Sequence, residues 1–363
     1  MFKYMIQSNF IISVISFISL FFFYGKDSLS NTTLIFCSII LLNAISASVH
    51  YAEVIAKRVG PALGTLILAL SVTIIEVGLI LSLMSIEKTN TGSTIARDTV
   101  FSAIMIVTNG VIGMCLFIGG LRHKELGFQS QGTSTLIGVL AVLSTLTLVL
   151  PNFTTSSVGP TFSAGQLIFA SVASIVLYGA LVWAQTISQK SYFEAITNEQ
   201  FIKLEQENYV PSRNQSIVAF LGLILSLLVV IGMAKTLSPF IEKTLVDMGA
   251  PQATVGIIIA LLVLAPETLA SISAAKMNQL QTSLNLALGS AAASIALTIP
   301  IVSIYSIMND KTITLGLDGK SLVLLILTFM SAGSTFGTGR TTTLQGIVHL
   351  VILASYVALS FMP

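Results

Sequence analysis

Residues Ile67–Glu76 read ILALSVTIIE, and residues Ile258–Glu267 read IIALLVLAPE. Aligned without gaps at a constant offset of 191, the two segments share five of ten positions, and each ends on a glutamate. Both lie inside apolar runs long enough to cross a bilayer, which takes about 20 residues. A carboxylate at bilayer mid-depth costs roughly 2.5 to 3.5 kcal/mol on insertion scales. Chance explains poorly why that cost recurs in both copies of a repeat. Glu76 and Glu267 are therefore read as functional groups.

The rest of the chain has the same character. Of its 363 residues 54% are hydrophobic and 9% charged, and the mean hydropathy is +0.92. Soluble domains carry about 25% charged residues, so the chain reads as an all-α polytopic membrane protein. Spans and short loops use up nearly its whole length, which leaves no room for a soluble catalytic or sensory domain. Its formal net charge is +2 and its basic residues are scattered, which argues against nucleic acid as a partner. Cys37 and Cys115 fall inside apolar segments as packing residues, with no disulfide or metal-thiolate pattern. No small-residue cleavage pattern follows Tyr24, so the first apolar stretch reads as a retained span.

About eleven spans are expected, near 8–24, 33–52, 62–84, 99–121, 133–151, 164–187, 215–234, 252–274, 282–307, 320–338 and 343–361. The longest connection, from about Ser188 to Asn214, mixes four glutamates with lysine and arginine and divides the chain. The expected organisation is a leading helix in 1–30, a first five-helix repeat in 31–190, a cytoplasmic linker in 191–214 and a second five-helix repeat in 215–363. Glu76 and Glu267 then fall on the third and eighth spans. An odd number of crossings separates these, so the repeats are inverted, the arrangement that builds secondary transporters with a site near the midplane. Ten lysines and arginines lie on the side of the N-terminus and the even-numbered connections, among them Lys3, Lys57, Arg58, Arg122 and Lys276; the remaining seven lie opposite. The positive-inside rule places the N-terminus in the cytoplasm and the C-terminus outside. Compact length suggests a bacterial inner membrane. Oligomeric state is not set by the sequence.

Two mid-membrane carboxylates suit a hard divalent cation, which seeks six to eight oxygens and charge compensation. Burial and a like-charged neighbour both disfavour the ionised form, so protons compete for the same groups. That competition, coupled to alternating access, is cation/proton antiport. Glu76 and Glu267 are the expected cation and proton ligands, against the plainer reading of neutral carboxyls bonding between helices. Pro266 removes the helical bond to the Leu262 carbonyl, making that oxygen a ligand candidate. Thr73 lies one turn before Glu76 and Ser271 one turn after Glu267, on the same faces; hydroxyls there also commonly bond back to their own helix. The small-residue ninth span offers Asn285, Ser290 and Ser294 as further site residues, on stripes that equally permit close helix approach. Asn109 is the mid-depth polar residue of the fourth span, and Asp98 beside Arg97 stands at its entrance. His50 and Glu53 form a candidate pH-sensing or proton-path pair, with Asp98 as a further proton-path candidate. His349, alone in the last span, reads first as a hydrogen-bonded packing residue.

Four segments carry a family resemblance: HYAEVIAKRVGPALGTLILALSVTIIEVGLIL from His50, RDTVFSAIMIVTNGVIG from Arg97, GGLRHKE from Gly119, and PETLASISAAKMNQLQTSLNLALGSAAASIALTIP from Pro266. Together they resemble the calcium/cation antiporter superfamily, and most of all its bacterial calcium/proton (sodium/proton) antiporter branch. The resemblance implies that Glu76 and Glu267 bind the cation and exchange it for protons, on a fold of one extra helix plus two inverted five-helix repeats. Many members carry Gly-Asn-Ala ahead of each glutamate, where this chain has Val72-Thr73-Ile74-Ile75 and Val263-Leu264-Ala265-Pro266. The expected function is Ca2+/H+ exchange, with Na+/H+ or K+/H+ antiport and Na+/Ca2+ exchange as alternatives on the same architecture. An intramembrane carboxylate hydrolase is a remote alternative, since no nucleophile motif accompanies either acid. The chain is thus not expected to be an enzyme. Its substrates are Ca2+ and H+, with Na+ or K+ as alternatives; its surroundings are lipid, and no cofactor is called for.

Overall fold

The computed structural model describes residues 2–23, 30–59, 61–86, 92–194, 211–247, 251 and 253–362. Among them are eleven helical runs of 18 residues or more. They are α1 (Phe2–Phe23), α2 (Asn31–Val59), α3 (Pro61–Ile86), α4 (Ile95–His123), α5 (Ser130–Phe153), α6 (Ala164–Ser188), α7 (Arg213–Asp247), α8 (Ala253–Lys276), α9 (Leu280–Met308), α10 (Gly319–Phe336) and α11 (Thr343–Phe361). Within the described residues eight are long and apolar enough to cross a membrane, and α8 makes a ninth when its two arms, bent 55° about Pro266, count as one span.

The helices cover the expected spans, and α2 and α7 run on past them, to Val59 and Asp247. The seventh span was expected to close near 234, ahead of Lys235 and Pro239, but α7 continues to Asp247 with Pro239 inside it. A proline removes one bond and crowds one carbonyl. In a 35-residue helix that local cost does not stop propagation.

The chain divides into two compact units, Met1–Lys88 with Leu204–Gly249, and Thr89–Lys203 with Ala250–Pro363. In the first, α7 packs against α1, α2 and α3. Glycines let it come close. A Cβ on Gly222 would meet the Tyr51 ring of α2 at 2.5 Å, and one on Gly232 would meet Leu20 of α1 at 2.5 Å. A Cβ on Gly78 of α3 would meet Ile231 of α7 at 2.6 Å. Tyr51, fully buried among Ala47, Ala52, Ala219 and Leu223, places its hydroxyl 3.3 Å from Ser13 Oγ.

The second unit is built around α4 and α9, whose apolar windows are 83% and 78% buried, against 28% for α6 and for α11. The outer helices turn Phe169, Val176, Val351 and similar side chains outward, as suits a lipid-facing surface. Here too small residues set the crossings. A Cβ on Gly256 of α8 would lie 2.6 Å from the Asp98 carbonyl carbon of α4, and one on Gly346 of α11 would lie 2.5 Å from the Phe117 amide nitrogen.

Loops of this unit pair with one another. Strand β1 (Glu125–Gly127) runs antiparallel to β2 (Arg340–Thr342), and Phe128 N donates to Gly339 O at 3.1 Å. Elsewhere Leu315 N and Gly316 N donate to Pro160 O at 3.2 and 3.0 Å. Gly159 and Gly339 both take positive φ, 85° and 73°, which an L side chain rarely adopts. Each precedes a helix opened by a capping box, Ser163 with Gln166 and Thr342 with Gln345.

Candidate functional site

The turn between α8 and α9 spans only Met277–Gln279, with Asn278 at φ 63°. So short a turn folds the two helices back antiparallel, and residues equidistant from it come to face each other. Glu267 and Ser290 stand 11 and 12 residues from its centre, Asn278, and so fall almost opposite each other. The Ser290 hydroxyl donates to Glu267 Oε2, and nearer the hairpin Ser283 Oγ donates to the Ser271 carbonyl at 2.7 Å. Glu267 is 4% exposed. Ser271 Oγ is fully buried and has no hydrogen-bond partner among the described residues, so an oxygen with uncommitted lone pairs lies one turn from the carboxylate.

Ser294, one turn beyond Ser290, is also buried. Tyr178 of α6 lies within electrostatic reach of Glu267, a neighbour that no sequence spacing pointed to. The 55° bend separates Thr254–Ala265 from Glu267–Lys276 and puts Glu267 at the first residue of the second arm. The Leu262 backbone lies in the last turn of the first arm; its side chain and that of Pro266 lie outside the described residues. Asn285 is turned to another task. Its Nδ2 donates to the Phe193 carbonyl and its Oδ1 accepts from Gln281 Nε2 at 2.8 Å, which ties the chain after α6 to the start of α9.

In the first unit Glu76 is 3% exposed on α3. Thr73 Oγ1, also buried, donates to Ala69 O at 2.9 Å, so its proton is spent within its own helix while its lone pairs stay available. His50 is half-buried with its ring 6.2 Å from that of Tyr51; the side chain of Glu53 lies outside the described residues.

Asn109 occupies a π-helical turn, Ile106–Val111, inside α4. Widening the ladder from i−4 to i−5 and back skips a carbonyl, and such turns cluster at functional sites. Asn109 is fully buried. Its Nδ2 donates to Thr328 Oγ1 of α10 at 2.9 Å, and its Oδ1 lies 3.1 Å from His349 Nδ1 of α11. Asp98 at the start of α4 pairs with Arg97 at 2.8 Å and accepts from Thr94 Oγ1 at 2.9 Å; Arg97 also donates to Gly316 O at 3.2 Å. The structure thus brings Glu267, Ser271 and Ser290 into one neighbourhood, and Asn109, Thr328 and His349 into another. Among the described residues no three His, Cys, Asp or Glu side chains converge on a metal position.

Comparison with known proteins places this arrangement. The family described as sodium/calcium exchanger protein matches residues 30–187 and again residues 218–362. The chain belongs to that family and is an integral membrane protein. It is 46% identical to the protein y4hA of Sinorhizobium fredii over 324 residues, covering 89% of this chain and 87% of that one. It is 33% identical to the sodium-potassium/proton antiporter ChaA of Escherichia coli, covering 88% and 86%. Its fold resembles the solved Ca2+/H+ antiporter protein YfkE, with a TM-score of 0.70 at 17% identity over 100% of this chain and 99% of that one.

Proposed function

We propose that the protein is a secondary active transporter that exchanges Ca2+ for H+ by alternating access, with Glu76 and Glu267 binding cation or protons in competition. The observation that carries this reading is the pair of buried glutamates, 3% and 4% exposed, at matching positions of a repeated segment in a sodium/calcium exchanger family member. Two ionised carboxylates neutralise one divalent ion, and two protons neutralise the same carboxylates. A carrier that shuttles only between these states exchanges two protons per Ca2+ without moving net charge.

The inverted repeat supplies the alternation. In this reading all eleven helices cross the membrane, α2 to α6 and α7 to α11 form the two repeats, and the N-terminus is cytoplasmic. Support comes from the family's matching each half separately. Further support comes from α6 and α11, which occupy the same place in their repeats and share a positive-φ glycine and a Gln-bearing capping box. The 33% identity to a sodium-potassium/proton antiporter favours a second reading, Na+ or K+ exchange for H+ at the same carboxylates.

Purified protein in liposomes under an imposed pH gradient tests both. Ca2+ flux driven by the gradient and insensitive to a clamped potential is the expected result. Na+ or K+ flux without Ca2+ flux would replace the substrate and keep the mechanism, whereas movement of no cation would end the transporter reading.

The Ser290 contact gives a finer expectation. A hydrogen bond to a charged group is worth about 1.5 to 3 kcal/mol. Ser290→Ala should therefore raise the half-saturating cation concentration about tenfold or more, while Ser290→Thr, which retains the hydroxyl, stays much closer to wild type. Cation titrations of flux at fixed pH measure this; equal behaviour of the two variants would remove Ser290 from the site.

A further inference from the structure

We propose that His349 is a positioning residue: as the neutral imidazole protonated on Nδ1, it fixes the side-chain amide of Asn109, and with it the π-helical turn of α4, so setting affinity for the transported cation. The last clause rests on the transport reading above; the rest stands on geometry.

Helices α4 and α11 run antiparallel with polar rungs seven residues apart on each. One rung joins Ser102 Oγ and Tyr356 OH at 2.6 Å, the other Asn109 Oδ1 and His349 Nδ1 at 3.1 Å. Beside the second rung the backbones close in. A Cβ on Gly113 would meet His349 Cβ at 3.2 Å, and one on Gly346 would meet the Gly113 carbonyl oxygen at 2.9 Å. His349 is fully buried, and its hydrogen-bond and ring neighbours, Asn109, Thr335 and Phe336, are all neutral.

Donor counting fixes the tautomer. Thr328 has one hydroxyl proton, directed to Leu324 O at 2.8 Å or to Met105 Sδ at 3.5 Å, both acceptors. With that proton directed to Leu324 O, the Thr328 oxygen accepts from Asn109, and the amide atom 2.9 Å away is then the nitrogen. Asn109 Oδ1 then faces His349 and only accepts, so Nδ1 carries the proton. Nε2 is left as an acceptor for the Thr335 hydroxyl 3.2 Å away. Reversing the amide would demand the other tautomer and would break the Thr328 bond to Leu324. The side chain that holds the amide is thus on a different helix from the amide itself, and it reaches the one turn of α4 where the backbone ladder is widened.

Two readouts test the inference. The chain has three histidines; in a His50→Gln, His123→Gln background, nitrogen-15 NMR of the remaining imidazole should show the Nδ1–H tautomer. The Nε2–H tautomer or an imidazolium would overturn the assignment. In transport, Asn at 349 places its amide N–H near the Nδ1 position and Gln places it near Nε2. His349→Gln should raise the half-saturating cation concentration about tenfold, the equivalent of about 1.4 kcal/mol, with maximal rate within about twofold, and His349→Asn should recover most of that loss. Equal losses in the two variants, or none in either, would show a packing role alone. Should His349→Gln fail to fold, Thr328→Val removes the acceptor of Asn109 Nδ2 and should produce the same rise; unchanged affinity in that variant would overturn the proposal. If wild type moves no cation, the affinity clause falls with the transport reading, and the NMR result still decides the geometry.

Discussion

Glu267→Gln is expected to abolish proton-gradient-driven cation flux, by about a hundredfold or more, without unfolding the protein. Glutamine has the shape of the acid it replaces, and its amide oxygen still accepts from Ser290, so the α8–α9 hairpin keeps its contact. What it lacks is the charge. Removing one member of a buried charge pair costs about 3 to 5 kcal/mol, or about two to three and a half orders of magnitude in binding. Nor can glutamine release a proton on one side and take one up on the other, so exchange fails even where a cation still binds. Glu76→Gln should behave alike if the two repeats contribute equivalent ligands. The measurement is flux in liposomes, with elution in detergent as the check on folding. Wild-type flux in a well-folded Glu267→Gln variant would contradict the role assigned to this carboxyl.

Much of the helical architecture was legible in the residues themselves. The span positions followed from apolar run length, because a lipid-facing helix has few other ways to satisfy its backbone. The two acids followed from their cost at depth, and Ser290 from its place on a small-residue stripe. The partnership of Ser290 with Glu267 was also available, since a three-residue turn centred on Asn278 leaves 267 and 290 within one residue of equidistant from it, but that register depends on where the turn lies. Asn285 shows the limit. Its stripe placed it near the site, while its partner, the carbonyl of Phe193, comes from a connection 92 residues away, which no helical periodicity reports. The Asn109–His349 contact spans 240 residues and a π-helical turn that shifts the face of α4; a 3.6-residue period cannot anticipate that shift.

Close helix approach accounts for the second large effect. Gly256→Ala and Gly346→Ala should each lower the stability of the second unit by about 3 kcal/mol, because the added methyl meets backbone and not a movable side chain. At Gly256 it would lie 2.6 and 2.7 Å from the carbonyl carbon and oxygen of Asp98, and at Gly346 2.5 Å from the Phe117 nitrogen. Neither helix can relax without parting from α4. Gly289→Ala on α9 is the matched control, since nothing lies within 4 Å of a Cβ there; its better helix propensity should leave stability unchanged or raise it by up to about 1 kcal/mol. Thermal unfolding in detergent separates the three variants, and a Gly256→Ala protein as stable as Gly289→Ala would show that α8 is not seated on α4 by backbone contact. The same comparison distinguishes two ways of losing transport. Glu267→Gln should lose flux and keep its melting temperature, whereas Gly256→Ala should lose both, because the helix that carries Glu267 is held in place by the crossing that the new methyl forces apart.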